Sequence, residues 1–253
     1  MTPPLFFYPV CYTRGMQDPS FHAQDLEHAE RHAGSGAMIR DIIIGMSDGL
    51  TVPFALAAGL SGAVDSTGII MTAGLAEIAA GSISMGLGGY LAAKNDSEHY
   101  DHELAREYDE VVTLPHKERQ EVIDIFKEYG LTDVDVAPIL KHFAEDHDAW
   151  VAFMMKHELG LDKPDEAHAS RSAITIAVSY MVGGAVPLAP YFFVPQPHTA
   201  LLVSAGFTAV ALALFGWAKS RYNGTNPWSG ALRTMIIGGI AAGVAYGLAK
   251  LIS

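Results

Sequence analysis

The chain has one cysteine, Cys11, in 253 residues. That excludes a disulfide-stapled scaffold and any cysteine-based zinc finger. Charge is scarce as well, at 17% Asp, Glu, Lys and Arg against about a quarter in ordinary globular chains. Basic residues are the scarcer sign, 16 Lys+Arg against 28 Asp+Glu. The resulting formal net charge of −12 argues against a nucleic-acid partner, which needs basic surface. No segment shows the alternation of a half-buried strand. A phosphate-binding loop and a nucleophile motif are also missing, so neither an enzyme nor an ATP-driven pump is expected.

What is present is unevenly placed. Residues 94–168 hold 8 Lys+Arg and 20 Asp+Glu, so the whole net charge of −12 sits in this interior segment. The flanks are apolar. Five runs there, 42–63, 68–93, 172–193, 199–218 and 234–249, are long enough to cross a bilayer, which takes about 20 residues at about 1.5 Å each. The expected fold is therefore all-α: a polytopic membrane protein with five transmembrane helices and a cytosolic helical domain inserted between helices 2 and 3. Arg40, Lys94, Arg171, Lys219, Arg221 and Arg233 flank the runs on one side, and Lys250 alone falls on the other. An excess of Lys and Arg marks the cytosolic side, which places the N-terminus and the acidic segment in the cytosol. The sequons at Asn95 and Asn223 fall on that side too and are expected to stay unmodified. Four parts follow: a cytosolic tail 1–38, spans one and two within 39–93, the acidic domain 94–168, and spans three to five within 169–253. The tail lacks a secretory leader, and its His22, His28 and His32 fit a solvated amphipathic helix better than a metal site.

The acidic segment has helical punctuation. Residues 97–111 carry span two onward with no Gly or Pro to stop it, and Leu114-Pro115 breaks the run. A helix over about 116–129 ends at Gly130, another starts near the N-cap Thr132, and a last one near Asp148 carries Trp150, Phe153, Met154 and Met155. Glu103, Glu107 and Glu110 follow i, i+4, i+7, and Glu118 and Glu121 follow i, i+3. Such spacing lines carboxylates along one face, where they repel unless a cation joins them. A solvated acidic face explains one such pair; two sets on consecutive helices point to a divalent-cation site. Of Met154 and Met155, one is expected in the helical core and the other facing the carboxylates, with Glu158 one turn on. Thioether beside carboxylate suits a transition metal better than calcium or magnesium.

Two of the spans contain one acid each, Asp48 in the first and Glu77 in the second. An ionisable group in a membrane span costs about 3 kcal/mol or more. No Lys, Arg or His lies within any of the five runs to pair with these acids, which favours a transport pathway over a buried ion pair. Pro53 follows Asp48 by about a turn, Gly81 lies one turn beyond Glu77, and Met85 sits roughly 80° round the helix from Glu77. Carboxylates in apolar surroundings hold protons until metal displaces them, so the pair suits metal moving one way and protons the other. Glycines at four-residue intervals, Gly45 and Gly49, then Gly239, Gly243 and Gly247, fit close helix approach, within one subunit or between two.

Three stretches carry a family resemblance: Asp41-Ile-Ile-Ile-Gly-Met-Ser-Asp-Gly-Leu-Thr-Val-Pro-Phe54, the run from Glu77 ending in Ser84-Met85-Gly86-Leu87-Gly88-Gly89, and Met154-Met155-Lys156-His157-Glu158-Leu159-Gly160-Leu161. Together the chain resembles the plant vacuolar iron transporters from about Arg40 onward. That resemblance implies a five-span homodimer in the vacuolar membrane, moving cytosolic Fe²⁺, and Mn²⁺ as well, into the vacuole in exchange for protons. It implies pathway positions at Asp48, Glu77 and Met85. It also implies metal ligands at Glu107, Glu110, Glu118, Glu121, Met154, Met155 and Glu158, with iron as substrate and no prosthetic group. Glu103 is added as a further ligand from its spacing alone, and His102, His116 and His157 read as surface residues. The competing reading is a membrane-anchored metal sensor or storage protein without transport. A di-iron carboxylate oxidase is disfavoured, because that class usually uses Glu-x-x-His pairs and no Glu here has a His three residues later.

Overall fold

The computed structural model describes residues 19–165 and 167–252, with side chains from Gly36 onward. It contains eight helices and, among the described residues, no strand: α1 (Pro19–Ala63), α2 (Thr67–Thr113), α3 (Pro115–Glu128), α4 (Asp133–Glu145), α5 (His147–His157), α6 (His168–Phe193), α7 (Pro197–Tyr222) and α8 (Pro227–Ile252). The chain divides into two compact units at Arg40/Asp41. Up to Arg40 the described part is the first portion of α1, and the side chains of His22, His28 and His32 lie outside the described residues. The unit from Asp41 onward holds everything that follows.

Five helices are long and apolar enough to cross a membrane: Gly36–Ala63 within α1, then α2, α6, α7 and α8. They contain all five apolar runs and extend each by several residues. The longest is α2, with 47 residues. At 1.5 Å per residue it measures about 70 Å, more than twice a hydrocarbon core of about 30 Å. Its first half is apolar, and its second half carries Glu103, Glu107 and Glu110 as one uninterrupted helix.

Local chemistry sets the short helices. Leu114 closes α2 and Pro115 opens α3, where a missing N–H costs nothing. Gly130 sits at φ +83° behind α3, a conformation suited to glycine. Asp135 accepts from the Thr132 backbone N–H at 2.9 Å and from its hydroxyl at 2.6 Å, fixing the start of α4. Asp146 caps α5 by accepting from the Ala149 N–H at 3.0 Å. These helices share a core of Val111, Val122, Val136, Phe143, Trp150, Val151, Met154 and Met155. Burying each large side chain contributes about 1.5–3 kcal/mol. Tyr108 of α2 also donates to Asp148 of α5 at 2.8 Å, so the acidic half of α2 is one wall of this group.

Among the spans, small residues let α6 lie close against both α1 and α2. Gly45 faces the Ile176 carbonyl and Gly49 the Tyr180 carbonyl. On α2, Gly74 faces Leu188 and Gly81 faces the Tyr180 ring. Gly45 and Gly49 therefore serve packing within the chain, while Gly239, Gly243 and Gly247 of α8 meet no neighbour within 4 Å among the described residues.

Candidate metal cluster and membrane carboxylates

The end of α2, the start of α3 and the end of α5 bring three carboxylates together. Glu107, Glu118 and Glu158 each offer one oxygen, and the three oxygens lie within 4.8 Å of one another. Glu107 is 1% and Glu118 0% exposed, while Glu158 closes the group from the outside. Glu107 reaches the interior because it continues the buried face of α2, with Glu103 one turn before and Val111 one turn after. Glu118 does so as the first buried residue of α3.

Ion pairs reach only part of this set. Arg106 contacts Glu103 at 2.7 Å and Glu107 and Glu110 at 3.6 Å. Lys117 contacts Glu121 at 3.0 Å and Glu110 at 3.8 Å. Glu107 Oε2, Glu121 Oε2 and both oxygens of Glu118 are buried without a hydrogen-bond partner among the described residues. A buried, unpaired carboxylate is costly to leave ionised, and it responds by holding a proton or a cation. Burial first, then the charges of Glu121, Glu107, Glu110 and Glu158, push Glu118 up from 4.5 to about 8. Glu107 and Glu158 are raised as well, in each case first by loss of solvent. Lys117 is also raised, first by its hydrogen bond to Glu121. Carboxylates arranged this way have the chemistry to exchange protons for a divalent ion, and oxygen ligands suit a hard or borderline metal.

The remaining residues singled out by spacing fall around this group. Glu110 and Glu121 are half-buried at its rim, joined through Lys117. Glu103 is buried but tied to Arg106, with His102 Nδ1 at 3.4 Å from Oε1. Met154 and Met155 are both buried in the hydrophobic core, at 0% and 2% exposure. Glu158 lies one turn beyond Met154, whose carbonyl accepts from its N–H at 2.9 Å. Sequence spacing missed Arg106 and Lys117, although Arg106 stands three residues from Glu103 and four from Glu110, and Lys117 four from Glu121, the signal that could have found them.

Asp48 and Glu77 occupy the spans. Asp48 lies on an exposed face of α1 in the single chain, and Met85 is half-buried on α2. Pro53 lacks the N–H that would bond the Gly49 carbonyl, which loosens α1 beside Asp48. Glu77 accepts a hydrogen bond from the Tyr180 hydroxyl of α6, while its Oε2 is buried without a partner among the described residues. It lines a concave face of about 410 Å³ together with Val52, Leu56 and Gly59 of α1 and Ala245 of α8. A basic residue is the partner expected for a buried acid; the partner of Glu77 is a phenol. Its signal was a tyrosine inside an apolar span, where the hydroxyl needs an acceptor.

A model of the VIT family matches residues 39–250. The chain is 52% identical over 223 residues to "Vacuolar iron transporter 1" of Oryza sativa subsp. japonica, covering 88% of each chain. It is 49% identical over 225 residues to "Vacuolar iron transporter 1" of Arabidopsis thaliana, covering 89% of this chain and 90% of that one. "Protein CCC1" of Saccharomyces cerevisiae is 38% identical over 223 residues, 85% of this chain and 69% of that one. The two plant relatives are named as transporters, not enzymes. With a family model spanning both the membrane carboxylates and the cluster, and relatives near 50% identity over most of their length, this chain belongs to the VIT family.

Proposed function

We propose that the protein is an iron transporter of the vacuolar membrane: a homodimeric antiporter that moves cytosolic Fe²⁺, and Mn²⁺ as well, into the vacuole in exchange for protons. The observation that carries this reading is the placement of two carboxylate stations on one helix. Glu107 and Glu77 both belong to α2, 30 residues apart, which corresponds to about 45 Å of helix. The cluster of Glu107, Glu118 and Glu158, with Glu110, Glu121, Met154 and Met155 around it, collects metal on the cytosolic side. Asp48, Glu77 and Met85 form the membrane path.

Relatives named as vacuolar iron transporters support the substrate and the membrane. The buried, unpaired oxygens of Glu77 and Glu118 support exchange with protons, since each must carry a proton or a cation. Exposure of Asp48 on an apolar span supports the dimer: a second copy over this face removes a carboxylate from lipid, where it costs about 3 kcal/mol or more. The positive flanking residues support a cytosolic N-terminus and a cytosolic cluster.

Purified protein in liposomes tests the proposal. Fe²⁺ is expected to move in the direction set by a pH gradient, and Asp48→Ala and Glu77→Ala are each expected to abolish the flux. Transport that survives both substitutions removes the pathway assignment. Metal binding without flux in the unaltered protein favours the anchored sensor instead.

A further inference from the structure

The carboxylate cluster is unevenly neutralised. At its centre both oxygens of Glu118 and one of Glu107 are buried without a hydrogen-bond partner among the described residues, so the carboxylates that α2, α3 and α5 bring together are suited to a positive charge. At its rim stand two cations of different kinds. Arg106 is anchored by its 2.7 Å contact with Glu103, a residue outside the group of three, and it points its remaining nitrogens at Glu107 and Glu110 from 3.6 Å. Lys117 is held instead by the two rim acids around the cluster. Among the described residues its ammonium contacts Glu121 of α3 at 3.0 Å and Glu110 of α2 at 3.8 Å.

We propose that Lys117 is a tethered competitor for the metal: its ammonium holds Glu110 and Glu121 until a divalent ion displaces it, and so sets the concentration and the charge of the ion that loads the cluster. This inference rests on the reading of the cluster as a metal station. The side chain of Lys117 is 56% exposed, and a flexible lysine stem swings its head into water at small cost. The release frees two rim carboxylates to turn toward the ion held by Glu107, Glu118 and Glu158.

Charge makes the competition selective. At equal distance a divalent ion gains twice the Coulomb energy of an ammonium, and it can expel the lysine. A univalent ion such as K⁺ gains no more than Lys117 already supplies. It also gives up translational freedom that a tethered group has lost in advance. Lys117 therefore keeps abundant univalent cations off an acidic cluster that would otherwise attract them.

The test uses the full chain in detergent micelles, with Mn²⁺ as the probe, followed by calorimetry and by electron paramagnetic resonance. Lys117→Met and Lys117→Gln are each expected to bind Mn²⁺ about tenfold more tightly, the ratio that corresponds to losing one unit charge a few ångströms from the ion. Lys117→Arg restores the charge and is expected to reverse most of that gain, which loss of packing would not explain. Replacing N-methylglucamine with K⁺ at constant ionic strength is expected to weaken binding by Lys117→Met and to leave the unaltered protein as it was.

Equal or weaker Mn²⁺ binding by both neutral variants overturns the proposal, and K⁺-insensitivity of Lys117→Met overturns its charge selection. Glu118→Gln separates this from the underlying reading. If Glu118→Gln leaves Mn²⁺ binding intact, the metal station itself is wrong. If it abolishes binding while the Lys117 variants match the unaltered protein, the competitor alone is wrong.

Discussion

Tyr180 of the third membrane helix donates its phenolic hydrogen bond to Glu77 of the second, 103 residues away in sequence. Tyr180 is 2% exposed. With Oε2 of Glu77 left unpartnered, the Tyr180 bond is what orients this carboxylate.

Tyr180→Phe tests that relationship. It keeps the ring, and with it the packing against Gly81 and Gly49, while removing the donor. A hydrogen bond to a charged group contributes about 1.5–3 kcal/mol, so metal flux in liposomes is expected to fall roughly ten- to hundredfold, with a loss of stability no larger than that contribution. Tyr180→Ala, which leaves a cavity as well, is expected to cost a further 3–5 kcal/mol or so of stability. Unchanged flux in Tyr180→Phe would show that Glu77 holds its place without the phenol.

Gly81 controls the same bond from the other side. A Cβ there would lie 2.6 Å from Tyr180 Cζ and 2.7 Å from Cε1, well inside contact distance. Gly81→Ala is therefore expected to push the phenol away from Glu77 and to reproduce the transport loss of Tyr180→Phe. Overpacking of this kind also destabilises by about 1–3 kcal/mol. Gly206 of α7 has no atom within 4 Å of its added Cβ, and Gly206→Ala is the matched control, expected to retain full flux. Paired flux and melting measurements on the two alanine variants check both halves.

How far such relationships could be read from sequence depends on their range. The five spans and the helix boundaries at Leu114-Pro115, Gly130 and Thr132 were legible, because apolar length and capping act within a few residues. Glu103, Glu107 and Glu110 look equivalent by spacing, yet they meet three fates: an ion pair with Arg106, a place at the buried centre, and a place at the rim. Which fate applies is decided by α3 and α5 packing over α2, a tertiary event with no local signature. The same limit hid Tyr180, whose partner sits four helices earlier in the chain. Gly45 and Gly49 show the converse. Their spacing announced a close approach correctly, but only the fold identifies α6 as the helix that approaches.

Glu118 gives the cluster a pH dependence whose sign follows from its environment. Burial and four neighbouring acids raise it from 4.5 in the unfolded chain to about 8 in the fold. Between these values the folded protein holds a proton that the unfolded chain has released, so stability falls as pH rises. The contribution is complete below about 4.5 and is lost as pH climbs to about 8. The metal-free protein is therefore expected to melt at a lower temperature at pH 8 than at pH 5.5. Glu118→Gln, which cannot titrate, is expected to flatten that slope, with the raised Glu107 and Glu158 supplying what remains. Metal reverses the trend, because a divalent ion binds the ionised carboxylates and expels their protons. Mn²⁺ should raise the melting temperature more at pH 8 than at pH 5.5 and acidify a weakly buffered sample as it binds. An equal Mn²⁺ effect at both pH values, with no proton release, would mean that Glu118 is already ionised in the fold and that the cluster does not exchange protons for metal.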